Sequence, residues 1–206
     1  MLTATRKKPK RKVTFLTPQY HGQRMSLEDF DRAETEAPGL FELSKGIIEV
    51  SDVPDLSHGR VVANVRQQLT LFEMANAGII KYMSSGGEAK VLIESVESER
   101  HPDWLVYLTE APNEAQPWSI WVPEIVLEVV SKSSAKRDYE EKPPEYLMLG
   151  VEEVWILDPL REILTVKTRW RGLWQDAVYK PSQKYRTRLL PGFVFDIRKA
   201  LAAGKK

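Results

Sequence analysis

The stretch whose reading decides the fold runs from Arg100 to Asp158. It opens with Arg100-His101-Pro102-Asp103 and enters the apolar run Trp104-Leu105-Val106-Tyr107-Leu108. It continues as Pro123-Glu124-Ile125-Val126-Leu127-Glu128-Val129-Val130-Ser131, then carries Asp138, Lys142 and Tyr146. It closes on Gly150-Val151-Glu152-Glu153-Val154-Trp155-Ile156-Leu157-Asp158-Pro159. The apolar runs read as strands, and the polar segment before Gly150 reads as a helix. Two residues break the pattern of a plain core: Asp103 stands at the mouth of one run and Glu128 interrupts another. A carboxylate among Ile, Val and Leu has to be paired, protonated or bound to a cation. Two of them on neighbouring strands make an oxygen-rich site for a hard divalent cation. A single acid of this kind would read as a partner for a nearby Arg or as a turn cap.

Outward from that stretch, the totals set limits. At 206 residues, one domain with a sizeable core is expected. The chain has no cysteine, which excludes disulfides and thiolate metal sites and fits a reducing cytoplasm. His21, His58 and His101 are too scattered for a His-rich zinc cluster. No apolar run has the length of a membrane span, and no charged-then-apolar leader opens the sequence. The net charge of +1 hides an asymmetry. Residues 1–24 carry seven basic and no acidic residues, which leaves 23 basic against 29 acidic elsewhere. Residues 1–24 therefore read as a flexible basic tail and 25–206 as the domain. Such a tail can hold nucleic acid by counterion release, although a solvated arm is the commoner case.

In chain order, Ser26 caps a helix with Asp29 three residues on. Leu40–Val50 reads as a hairpin turning near Ser44-Lys45-Gly46. Ser57 is the expected cap of a helix that carries Val61, Val65, Leu69 and Phe72 on one face, with His58 in its first turn. Strands are expected over Ile79–Met83 and Ala89–Ile93. Gly86-Gly87 between them supplies unusual backbone angles, and no Gly-Lys-Ser/Thr follows to make a phosphate loop. Val96–Arg100 reads as a charged loop and Thr109–Pro123 as an exposed excursion. Ser133 or Ser134 caps the next helix, which ends at Gly150. A second hairpin turns at Arg171-Gly172, and a short helix closes the chain. The class is α/β (α+β-like), a single domain.

Metal-dependent nucleases commonly place a lysine two residues after the strand carboxylate. Here that position is Val130, and Lys132 on the same face lies roughly 13 Å from Glu128 along a strand. Lys142, from the following helix, can instead fold back over the strand end. Glu42-Leu43 with Gly46, His58 opening a helix, Pro102-Asp103 and Glu128-Val129-Val130-Ser131 together resemble the Uma-two family. So do Asp138, Lys142 and Tyr146, Gly150-Val151, Trp155-Ile156-Leu157-Asp158-Pro159 and the closing Pro191-Gly192-Phe193. That family belongs to the PD-(D/E)XK restriction-endonuclease-like superfamily, and the resemblance spans residues 25–197. It implies a mixed β-sheet flanked by helices and a Mg²⁺- or Mn²⁺-dependent deoxyribonuclease with no organic cofactor. DNA is the implied partner, and a homodimer is a further expectation.

The resemblance places Asp103, Glu128 and the Val129 carbonyl on the metal, and Lys142 and Glu42 beside them in catalysis. His58 and Lys132 would contact substrate. Two positions depart from the family pattern. Lys132 replaces a usual Pro, and Pro143-Pro144 follow Lys142 directly, so the helix either starts at Pro143 or kinks there. A catalytically inactive module of the same fold, binding nucleic acid or protein through Trp118, Trp121, Trp170 and Trp174, is the alternative. A glycosidase using Asp103 and Glu128 as acid and base is remote in so short a chain.

Overall fold

The computed structural model describes residues 13–36, 39–114 and 116–205. The run Arg6–Lys12, which carries most of the basic charge of the expected tail, lies outside the described residues. Within the rest of that tail, strand β1 (Phe15–Leu16) pairs in parallel with β2 (Glu34–Thr35) across helix α1 (Leu27–Asp31). Leu16 is buried with Phe30, Phe41, Leu43 and Ile48, so packed structure reaches back to Phe15, where the charge run gives way to apolar residues. Ser26 caps α1 as expected, its hydroxyl accepting the Asp29 N–H at 3.2 Å.

The hairpin of β3 (Leu40–Ser44) and β4 (Ile47–Ser51) turns through Lys45 and Gly46, both with positive φ, the geometry of a two-residue type I′ turn. The long helix α2 (Leu56–Ala75) follows. Its cap is Asp55, whose carboxylate accepts the His58 N–H at 2.9 Å, and not Ser57, whose hydroxyl donates to the Gly204 carbonyl at 2.7 Å. Next come β5 (Tyr82–Ser84), β6 (Val91–Ile93) and β7 (Ser98–Arg100). β7 corrects the loop expected over Val96–Arg100. Its residues are polar yet buried: Ser98 accepts the Lys45 N–H at 2.9 Å, Glu99 accepts from Lys90 at 3.3 Å, and Arg100 is held by carboxylates. Gly86 and Gly87 do not need unusual angles, since neither has a positive φ. Gly86 is required for room: a Cβ there would lie 2.5 Å from the His101 carbonyl carbon.

β8 (Trp104–Tyr107) and β9 (Ile125–Val129) come next. A turn of π-helix (Arg137–Glu141) leads directly into α3 (Lys142–Leu149), which Gly150 ends with φ 106°. The chain then runs through β10 (Glu153–Asp158), β11 (Ile163–Trp170), β12 (Leu173–Tyr179), β13 (Lys184–Tyr185), β14 (Phe195–Asp196) and α4 (Ile197–Ala203). Of the aromatics expected on an exposed surface, Trp170 is exposed, whereas Trp121 is buried against Tyr107 and Trp118 and Trp174 pack partly into the core.

The mixed sheet flanked by helices is what forms. Six strands lie in the order β12-β11-β10-β9-β8-β5, with β9 and β10 parallel and joined through α3. A smaller antiparallel sheet has the order β4-β3-β7-β6. Side chains of the central strands alternate between the two faces. Leu127, Val129, Trp155 and Leu157 pack with Val61, Val65 and Leu69 of α2 and Leu201 of α4. Val126, Val130, Val154 and Ile156 pack on the other face with Tyr146 of α3. Glu128 falls between Val126 and Val130, on the α3 face. Among the described residues no helix is long and apolar enough to cross a membrane.

Candidate active site

Asp103 sits just before β8, and Glu128 and Val129 end β9. Antiparallel pairing of Trp104 with Leu127 therefore brings the two acids to the same end of the sheet. Asp103 accepts the Val129 N–H at 2.6 Å, closing β9 with a charge-assisted bond. His58, at the start of α2, reaches over this end. Its Nε2 lies 3.2 Å from the Asp103 carboxylate and 3.0 Å from the Val129 carbonyl. Burial pulls the imidazole's pKa down, but the Asp103 carboxylate and the Val129 carbonyl outweigh it and leave it raised.

Lys142 reaches Glu128 from α3. Its Nζ lies 3.2 Å from both Glu128 oxygens, 3.4 Å from Glu42 and 3.6 Å from Asp138. Tyr146, one turn on, donates its hydroxyl to Glu128 at 2.6 Å. The prolines do not displace the lysine. Pro143 and Pro144 cannot donate to a preceding carbonyl, and the helix accommodates this by widening to a π turn just before them, in which the Lys142 N–H reaches Arg137. Asp138 and Lys142 thereby share the inward face. Ser134 holds Asp138, donating at 2.5 Å; its hydroxyl oxygen accepts the Ser131 N–H at 2.9 Å and its carbonyl accepts the Asp138 N–H at 2.9 Å, so it stands at the start of the helical stretch that opens at Ala135.

Glu42 comes from β3 of the smaller sheet. It accepts the His101 N–H at 2.9 Å and touches Arg100 at 3.3 Å. Arg100 itself is fully buried. It donates twice to Glu145 of α3 at 2.8 and 3.1 Å, and to Glu49 and Ser44 at 3.1 and 2.7 Å. These bonds tie the smaller sheet to α3 and so fix Glu42 opposite Lys142.

The residues surround one cleft of about 300 Å³ that Asp103, Glu128, Val129, Glu42, His58, Lys132 and Lys142 all line. Burial drives the Glu42 carboxyl up, but Lys142, Arg100 and the His101 N–H prevail and hold it at about 2. Glu128 goes the other way: burial pushes it to about 8, and Asp138, Asp103 and Glu42 add to this against the pull of Lys142. Lys142 keeps its proton, because Glu128, Glu42 and Asp138 outweigh the cost of its burial. Carboxylates thus outnumber the fixed cations facing the cleft. Lys132 is the exception among the expected residues. It lies in the exposed turn beyond β9, lines the cleft, and does not share the strand face with Glu128.

Among the described residues no three His, Asp or Glu side chains close on one point. The oxygen set is two carboxylates, Asp103 and Glu128, and the Val129 carbonyl, all lining the same cleft. In kind, and with the surplus of negative charge around it, this set fits a hard divalent cation. Asp138 and Tyr146 belong to the same cluster, and their spacing of four residues on either side of Lys142 is the sequence signal for them. Arg100 had no such signal, because Glu97-Ser98-Glu99-Arg100 looks like solvated charge.

No curated protein matches the chain. Among solved structures it is similar to one titled a putative nuclease belonging to DUF820 from Anabaena variabilis ATCC 29413. The TM-score is 0.72 at 15% identity, over 87% of this chain and 99% of that one. This likeness gives the fold, a restriction-endonuclease-like one. The model of the Uma2 family, described as "Putative restriction endonuclease", matches residues 27–198. The chain belongs to the Uma2 family.

Proposed function

We propose that this protein is a metal-dependent deoxyribonuclease that hydrolyses phosphodiester bonds within DNA. The observation that carries the reading is the meeting of Asp103, Glu128, the Val129 carbonyl and Lys142 in one cleft, from three separate segments of the chain. The family description and the nuclease title of the similar structure support it. Asp103, Glu128 and the Val129 carbonyl would hold Mg²⁺ or Mn²⁺. A cation bound there supplies Lewis-acid polarisation of a phosphoryl oxygen and acidifies a water molecule.

The remaining chemistry belongs to the side chains. Lys142 stays an ammonium, so it is a donor and not a base; it stabilises negative charge building on the phosphoryl group or orients the attacking water. Glu42 holds Lys142 from the opposite wall. Tyr146, kept neutral by burial and the nearby Glu128 charge, donates to Glu128 and fixes the orientation of its carboxyl. His58 fixes Asp103 and the Val129 carbonyl relative to each other and stands where it can touch a phosphate.

A plasmid-nicking assay tests this, run with Mg²⁺ or Mn²⁺ beside an EDTA control and Glu128→Ala. Metal-dependent nicking that the variant loses is the expected result. Equal nicking by the variant would identify a contaminant, and no nicking at all would favour a non-catalytic module of the same fold.

A further inference from the structure

The lip of the cleft differs from its floor. The floor cation, Lys142, is surrounded by carboxylates. Lys132 and Arg137 also line the cleft, yet among the described residues neither forms an ion pair. This is unexpected for Arg137, since Asp52, Asp55, Asp103 and Asp138 line the same cleft. Its Nε is also buried without a hydrogen-bond partner among the described residues. A buried donor left unmatched is costly and calls for an explanation. The π turn that aims Lys142 inward begins at Arg137, whose carbonyl accepts the Lys142 N–H. One local distortion therefore sets the floor lysine and the lip arginine together. Ser131 and Ser133 lie in the same turn, and among the described residues their hydroxyls meet only each other, at 3.5 Å. Two unpaired cations and two loosely held hydroxyls beside an acidic floor suit an anion with several oxygens, which is what a phosphodiester presents.

We propose that Arg137, with Lys132 and the hydroxyls of Ser131 and Ser133, seats a DNA backbone phosphate flanking the one that is cleaved. The inference rests on the nuclease reading above and adds a contact for holding the strand. Arg137 binds and does not take part in bond cleavage. Removing it weakens DNA binding for every sequence alike, because a phosphate contact carries no base information.

The test is fluorescence anisotropy of a short fluorescein-labelled duplex against the full chain, in Ca²⁺ buffer, over a series of NaCl concentrations. Arg137→Ala should raise Kd about tenfold. It should also lower the slope of log K against log salt by about 0.9, the value for one phosphate contact. Arg137→Lys should keep the slope. Ser133→Asp, an exposed position where folding is not at risk, should also weaken binding by placing a negative charge at the seat. A wild type that binds and nicks DNA, with Arg137→Ala and Ser133→Asp unchanged in Kd and slope, would overturn the seat and leave the nuclease standing. A wild type that neither binds nor nicks would overturn both.

Discussion

Arg100 and Lys142 are both buried cations and share one carboxylate, Glu42, yet their surroundings differ. Arg100 has five N–H donors, and they make five contacts, two to Glu145 and one each to Glu42, Glu49 and Ser44. The knot is closed and lies between the smaller sheet and α3. Lys142 has three donors and meets Glu128, Glu42 and Asp138 at 3.2 to 3.6 Å, with Asp103 nearby and the cleft beside it. The same ingredients thus give a structural fastener in one place and an undercompensated acidic pocket in the other. Burial of charge alone does not distinguish them. The balance of donors against carboxylates does.

That comparison can be broken from either side. Removing a partner from the closed knot should cost most. Glu145→Ala leaves Arg100 buried and short of two bonds, and urea unfolding should show a loss of about 3–5 kcal/mol. In the open cluster, Glu128→Gln should cost less than about 1.5 kcal/mol, because Lys142 keeps Glu42 and Asp138 and the amide replaces a carboxyl that burial already pushes to about 8. Lys142→Met should lower the nicking rate by roughly 10²–10³ with little change in KM, as expected for a donor acting on developing charge.

Glu42 sharpens the contrast through pH. Its carboxyl is held at about 2 against an ordinary 4.5, so the folded state binds a proton less readily than the unfolded one. Its contribution is therefore complete above about pH 4.5 and is lost as pH falls toward 2, about 3 kcal/mol in all. Denaturant titrations across that window should show the loss, and Glu42→Gln should flatten it. The smallest effect is expected from Asp55→Ala. Loss of the α2 cap should cost about 1 kcal/mol in thermal unfolding and loosen the turn that carries His58 over the acids.

Much of this is legible in the sequence. Asp103 and Glu128 stood out because a carboxylate in an apolar strand has few explanations, and alternation along the strand gave Glu128 a face. The hairpin at Lys45-Gly46 and the cap at Ser26 followed from local chemistry and appear as read. The aim of Lys142 is not legible, because it depends on a helical turn widening ahead of Pro143 and Pro144, and two prolines are equally compatible with a helix that starts or kinks there. The Arg100 knot was hidden for a different reason. Its partners Glu145 and Glu49 lie 45 and 51 residues away, and a strand of Ser, Glu and Arg looks solvent-exposed until its partners are in place.

A cation site at the carboxylate surplus beside Lys142 has a direct consequence: the protein binds a divalent metal through Glu128. Calorimetric titration of Mn²⁺ into the wild type and into Glu128→Ala tests it most directly. Saturable binding in the wild type and its loss in the variant are expected, with the fold of both checked by circular dichroism. Undiminished Mn²⁺ binding by Glu128→Ala, or no binding by the wild type, would contradict it.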